Sequence, residues 1–149
     1  MSNMSITNEI QVDTTSPIQV LQAFMTAMHE WERNSYQEFE KVRNGDGDWI
    51  SERQHRLQGI NEIFAQYCTP KDRPLGRQGS FSHPPEYDPE TEQVLEIVEE
   101  SKRRVVIFTQ EGSGFRHKNR YVLLRKGDKW LIDNKQWFDL DGKWQKRGL

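Results

Sequence analysis

The chain has 149 residues, of which 34% are apolar and 30% charged, and its net charge is −2. That length suits one domain. No apolar run approaches the roughly 20 residues of a membrane span, Met1-Ser2-Asn3-Met4 begins no secretory signal, and the single Cys68 permits neither an internal disulfide nor a multi-cysteine metal site.

These features imply a cytoplasmic protein with no membrane partner. A sequence pI near 6.1 and the lack of a basic tail argue against nucleic-acid binding. Leu, Ile, Val and Phe total only 33 residues, so five Trp, four Tyr and seven Phe must supply much of the core.

Residues 1–14 are polar and unpatterned, the composition of a flexible N-terminal arm. The remainder, 15–149, reads as one domain. Ser16-Pro17-Ile18-Gln19 opens a helix, with Ser16 as cap, Pro17 at the first helical position and Gln19 completing a capping box. Val20, Leu21, Phe24, Met25, Met28, Trp31, Tyr36 and Phe39 follow, mostly on one face. The helix runs to about Arg43, where Asn44-Gly45-Asp46-Gly47 stops it. Its length requires an extended partner such as a sheet.

A second helix is expected from Ser51, with Leu57, Ile60, Ile63, Phe64 and Tyr67 on its apolar face and Pro70 beyond its end. Residues 69–89 hold five of the six prolines and form a long loop carrying Phe81, His83 and Tyr87. Asp88-Pro89-Glu90 also fits a helix start, but 93–100 reads better as a strand. From there the period is two. Val105–Thr109, Asn119–Arg125 and Trp130–Asp133 are strands, and Lys143-Trp144 begins a last one. Helices followed by an antiparallel meander give an α+β fold, with the first helix covering one face of a curved sheet.

The charge is unevenly placed. Residues 1–101 carry 18 acidic and 8 basic side chains, and residues 102–149 carry 5 and 13. The segment from Glu86 to Glu100 has seven carboxylates and no basic residue. It lacks the ligand spacing of a calcium loop, and it reads either as a solvated edge or as a dock for a basic partner.

The four histidines show no metal-ligand spacing, and no metal or cofactor is expected. An acid–base pair of His29 with Asp133 would need assembly by the fold. Cys68, near a helix C-terminus, reads as a buried structural thiol. Gly112-Ser113-Gly114 lies between strands, so it is a turn and not a phosphate loop. Trp137 and Phe138 are neighbours and must face opposite ways in a strand, which leaves one exposed.

Helical Ser16 to Phe39, then Tyr87-Asp88-Pro89, Arg120-Tyr121-Val122-Leu123 and the hairpin phrase Gly127-Asp128-Lys129-Trp130-Leu131-Ile132-Asp133 resemble immunity proteins with the nuclear transport factor 2-like fold. The resemblance spans residues 16 to about 148. It implies a cone-like α+β fold and a bacterial protein that binds and neutralises a cognate toxin, with no cofactor and no catalytic residues. No toxin-contact motif carries over from that family. From the residues themselves, the candidate contacts are Phe81, His83, Tyr87, Glu90 and Glu92 on the loop side and Phe115, Arg116 and Trp137 on the sheet side. The rival readings are a small-molecule enzyme of isomerase or hydrolase type using His29 and Asp133 in the helix–sheet cavity, and a homodimer formed through the sheet face.

Overall fold

In a computed structural model, residues 16–73, 80–113 and 116–149 are described; the expected arm, 1–14, and Phe115 lie outside them. Two helices, α1 (Pro17–Arg43) and α2 (Trp49–Tyr67), precede five strands: β1 (Gln93–Ser101), β2 (Arg104–Gln110), β3 (Lys118–Lys126), β4 (Lys129–Phe138) and β5 (Trp144–Arg147). The strands pair antiparallel in sequence order, as a meander. The expected α+β order is therefore present, and 93–101 is a strand.

The apolar stripe of α1 builds the core. Val20, Leu21, Phe24, Met25, Met28 and Trp31 are buried and pack with Ile60 and Tyr67 of α2 and with Val105, Ile107, Tyr121, Leu123, Trp130 and Ile132 of the sheet. Each fully buried large apolar side chain contributes about 1.5–3 kcal/mol. Trp31 Nε1 also donates to the Arg56 carbonyl at 3.0 Å, which fastens the helices together. Gly59 permits this approach, since a Cβ there would lie 3.0 Å from the indole.

The first expected helix start holds without its side-chain cap, and the second is corrected. Ser16 is the N-cap of α1, but its side chain makes no capping hydrogen bond. α2 begins at Trp49 and not Ser51, because Asp48 is extended and its carboxylate accepts the Ser51 N–H at 2.8 Å.

The sheet has one irregularity with consequences for the site. Val122 pairs with Asn134, yet Leu123 pairs with Ile132, so Asp133 is an extra residue in β4. Such a bulge reverses the facing of the residues that follow. Cys68 bridges Ile132 at this point, and the Thr69 N–H donates to the Ile132 carbonyl at 2.9 Å. Arg73 donates to the carbonyls of Thr69 and Asp133, both at 2.8 Å. The segment after α2 is thus sewn onto β4. Cys68 is buried, as expected, and burial pushes its thiol up to about 12.

Candidate functional site at the open end of the sheet

The loop 80–92 runs back along α1 and then becomes β1. Its contacts with the helix come in reverse order. Tyr87 O meets His29 Nδ1 at 2.8 Å, the N–H groups of Ser82, Glu86 and Tyr87 meet Glu32, the His83 ring lies on Tyr36, and Phe81 meets Phe39 edge to face. Glu32 is wholly buried. Its carboxylate accepts from Ser82 N at 3.0 Å, Glu86 N at 2.8 Å and Tyr87 N at 3.3 Å. Hydrogen bonds to a charged acceptor are among the stronger ones, so this segment is held in one shape.

Behind the loop lies a buried charged network. Lys135 is 2% exposed. Its ammonium sits 4.3 Å from the Tyr87 ring, 5.3 Å from the Tyr121 ring and 3.4 Å from Glu86 Oε2. Burial, with the nearby Arg147 cation adding to it, lowers the Lys135 pKa to about 8, although Glu86, Glu92 and Glu111 pull the other way. Arg147 donates to Glu111 Oε2 and Asn119 Oδ1, both at 2.8 Å. Thr109 Oγ1 donates to Glu92 Oε2 at 2.6 Å. Together Lys135, Tyr87 and Tyr121 fill the space between α1 and this end of the sheet.

Most of the candidate contacts gather at this end, but not all face outward. Tyr87 has no exposed surface, and its ring packs against Phe24 at 5.4 Å, so it offers nothing to a partner. The reason is its register opposite His29 on the inner face of α1. Glu92 is half-buried and turned inward to Thr109. Phe81 is half-buried, with the Arg56 guanidinium 5.6 Å from its ring. His83 and Glu90 are exposed. His83 stacks on Tyr36 with ring centroids 3.6 Å apart and planes 2° from parallel. Arg116 is exposed on the β2–β3 turn with a positive φ of 54°. Trp137 is half-buried, edge-on to His117 at 4.7 Å; the exposed member of the aromatic pair is Phe138, at 40%.

The acid–base pair of the enzyme reading is not assembled. His29 Nδ1 faces the Tyr87 carbonyl, while Asp133 accepts from Thr69 Oγ1 at 2.8 Å and pairs with Lys71 at 3.2 Å. Among the described residues no three His, Cys, Asp or Glu side chains cluster as metal ligands. No helix among them is long and apolar enough to cross a membrane.

Sequence reasoning missed Glu32, Glu86, Lys135 and Arg147. Glu32 had a usable signal, since it lies four residues after Met28 on the apolar stripe. Lys135 had none, because the bulge turns it inward.

The profile of a family described as NTF2 fold immunity protein matches residues 16–148. The immunity protein RhsIA of Dickeya dadantii (strain 3937) is 38% identical over 133 residues, which cover 87% of this chain and 93% of that protein. No solved structure matches. The chain belongs to the NTF2-fold immunity protein family, and its function is immunity against a toxin.

Proposed function

We propose that the protein neutralises its cognate toxin by direct binding, occluding the toxin's working surface, and acts as a binder and not as a catalyst. The observation that carries this reading is the fastening of loop 82–87 to Glu32. A surface already held in its bound shape loses little entropy on association. Exposed Glu90, followed by Glu96 and Glu99 of β1, gives that surface an acidic field. Such a field steers a basic partner and speeds encounter. Phe81, His83, Arg116 and Trp137 are the contacts proposed around this rim, with Glu92 and Tyr87 supporting it from beneath. The site of action is the cytoplasm, in keeping with a lone buried thiol that forms no disulfide.

Co-expression with the toxin domain encoded beside this chain tests the reading. Cells survive and the two proteins co-elute on a sizing column if it holds. Cell death together with separate elution defeats it.

A further inference from the structure

The strand β1 is one of the two edges of the sheet, and its close packing is with β2. It is nine residues long and contains no proline and no lysine, two residues that natural edges use against unwanted pairing. Register shifts occur only toward its ends, which leaves Glu96 to Glu99 in continuous register. Val94, Leu95 and Ile97 are 40%, 51% and 46% exposed.

The sheet face beside this edge holds an apolar cleft. Ile107 and Tyr121, paired across β2 and β3, face the helices, so the next pair, Phe108 and Arg120, faces away. There Leu95, Phe108, Phe138 and Trp144 line a cleft of about 230 Å³. Trp144 lies 5.7 Å from Phe108 and 5.1 Å from Phe138, with the Arg120 guanidinium 4.4 Å over its ring.

We propose that β1 receives a strand of the cognate toxin, with basic side chains set against Glu96 and Glu99 and an apolar side chain entering the Leu95–Phe108–Trp144 cleft; Glu100 is already paired with Arg104. This rests on the direct-binding reading above and names its mode. In strand addition the main chain supplies affinity and side-chain pockets supply selectivity. Charge decides between occupants. Two copies paired along β1 would gather the Glu96 and Glu99 carboxylates of both strands at one seam, and like charges brought together oppose that pairing. The chain's own residues 1–15 contain no Lys or Arg and carry Glu9 and Asp13, so they share the wrong sign. A basic strand from a partner fits where both of these fail.

Hydrogen exchange of the full chain, alone and with a catalytically inactivated form of the toxin domain encoded beside it, tests the proposal. The amides of 93–101 should slow by about tenfold or more in the complex, opposite a Lys/Arg-bearing toxin segment. The double variant E96K/E99K should slow association about tenfold at low salt, and by less at high salt. L95D should weaken the complex about tenfold or more. These side chains are exposed, and an unchanged unfolding midpoint verifies folding. A complex that forms with unaltered exchange in β1 overturns strand addition while leaving immunity by binding intact. Protection of β1 that rises with the concentration of this chain alone assigns the edge to a second copy and also overturns it. The absence of any complex, with no survival of toxin-exposed cells, defeats the underlying reading instead.

Discussion

The ammonium of Lys135 lies 4.3 Å from the ring of Tyr87 and 3.3 Å from its hydroxyl, inside a protein that leaves neither side chain more than 2% exposed. The aromatic face and the Glu86 carboxylate offset part of the cost of burying the charge.

That cost makes stability depend on pH, and the sign follows from the two pKa values. The unfolded lysine titrates near its ordinary 10.5 and the folded one at about 8. Between these values the unfolded chain binds the extra proton, so stability rises with pH through that window. Below about 8 both states are protonated and the burial cost is fully felt. Lys135→Met removes this dependence. Measured by denaturant unfolding, the wild type should gain about 2 kcal/mol on the variant between pH 7 and pH 10. A constant gap would show that the ammonium is not disfavoured by its site. The comparison must be a difference between the two proteins, because Cys68, also buried and raised to about 12, lowers stability over part of the same range in both.

Glu32 holds the loop, so its loss should be felt at the loop first. Glu32→Ala leaves the N–H groups of Ser82, Glu86 and Tyr87 without their carboxylate. Loss of a charged acceptor serving buried donors costs about 3 kcal/mol. Glu30→Ala, on the exposed face of the same helix, should cost under about 0.5 kcal/mol. Unfolding midpoints give the first comparison. Amide exchange over 82–87 gives the second, and it should speed up for Glu32→Ala below the denaturation midpoint. An equally protected loop in that variant would mean that packing of Tyr87 and Phe81 holds it without Glu32.

The elements were legible in the sequence because periodicity reports burial directly. The stripe from Val20 to Trp31 faces the core as its spacing requires, and the acidic segment 93–101 is a strand. The interior of the site was not legible. Alternation from Trp130 and Ile132 points next to Asn134, not Lys135. The extra residue Asp133 shifts the pattern by one, so Lys135 pairs with Tyr121 and faces inward. The bulged Asp133 is held by Thr69 and Arg73, and those contacts are long-range. Tyr87 was misread for a related reason. Its loop is polar and rich in proline, and His29 and Glu32, more than 50 residues away, draw its backbone against the helix. By contrast Glu90, His83 and Arg116 stand exposed near where a loop and a turn should put them.

The two helix starts allow a direct comparison of capping. Asp48 accepts the Ser51 N–H at 2.8 Å, whereas the Ser16 side chain caps nothing. Asp48→Ala should therefore lower the unfolding midpoint in denaturant measurably, and Ser16→Ala should lower it less. The hydrogen bonds to the Ser51 and Ile50 backbones also hold the Asp48 carboxyl below its ordinary value. The Asp48 contribution is thus present above the unfolded aspartate pKa and is lost as pH falls through the lower folded one. The gap between wild type and Asp48→Ala should narrow on acidification toward pH 3. Equal costs for the two substitutions at pH 7 would contradict the geometry.

Gly112 ties the β2–β3 turn to the residue that leads into β1. A Cβ at this position would stand 2.5 Å from Thr91 Cβ and 2.6 Å from the Thr91 carbonyl oxygen, distances that no fixed structure accepts. Gly112→Ala must push the loop and the turn apart, at a cost of about 1–3 kcal/mol. Because a main-chain oxygen is one of the two obstacles, truncating the neighbour cannot relieve the clash. Thr91→Ala keeps both its Cβ and its carbonyl, so the double variant should recover less than about 0.5 kcal/mol. The displacement should also reach the first residues of β1, where Gln93 pairs with Gln110 just before the turn. Unfolding of the single and double variants measures the cost, and amide exchange at 92–94 measures its spread. Full recovery by Thr91→Ala would show that the contact is between side chains alone and that the turn does not position the acidic edge.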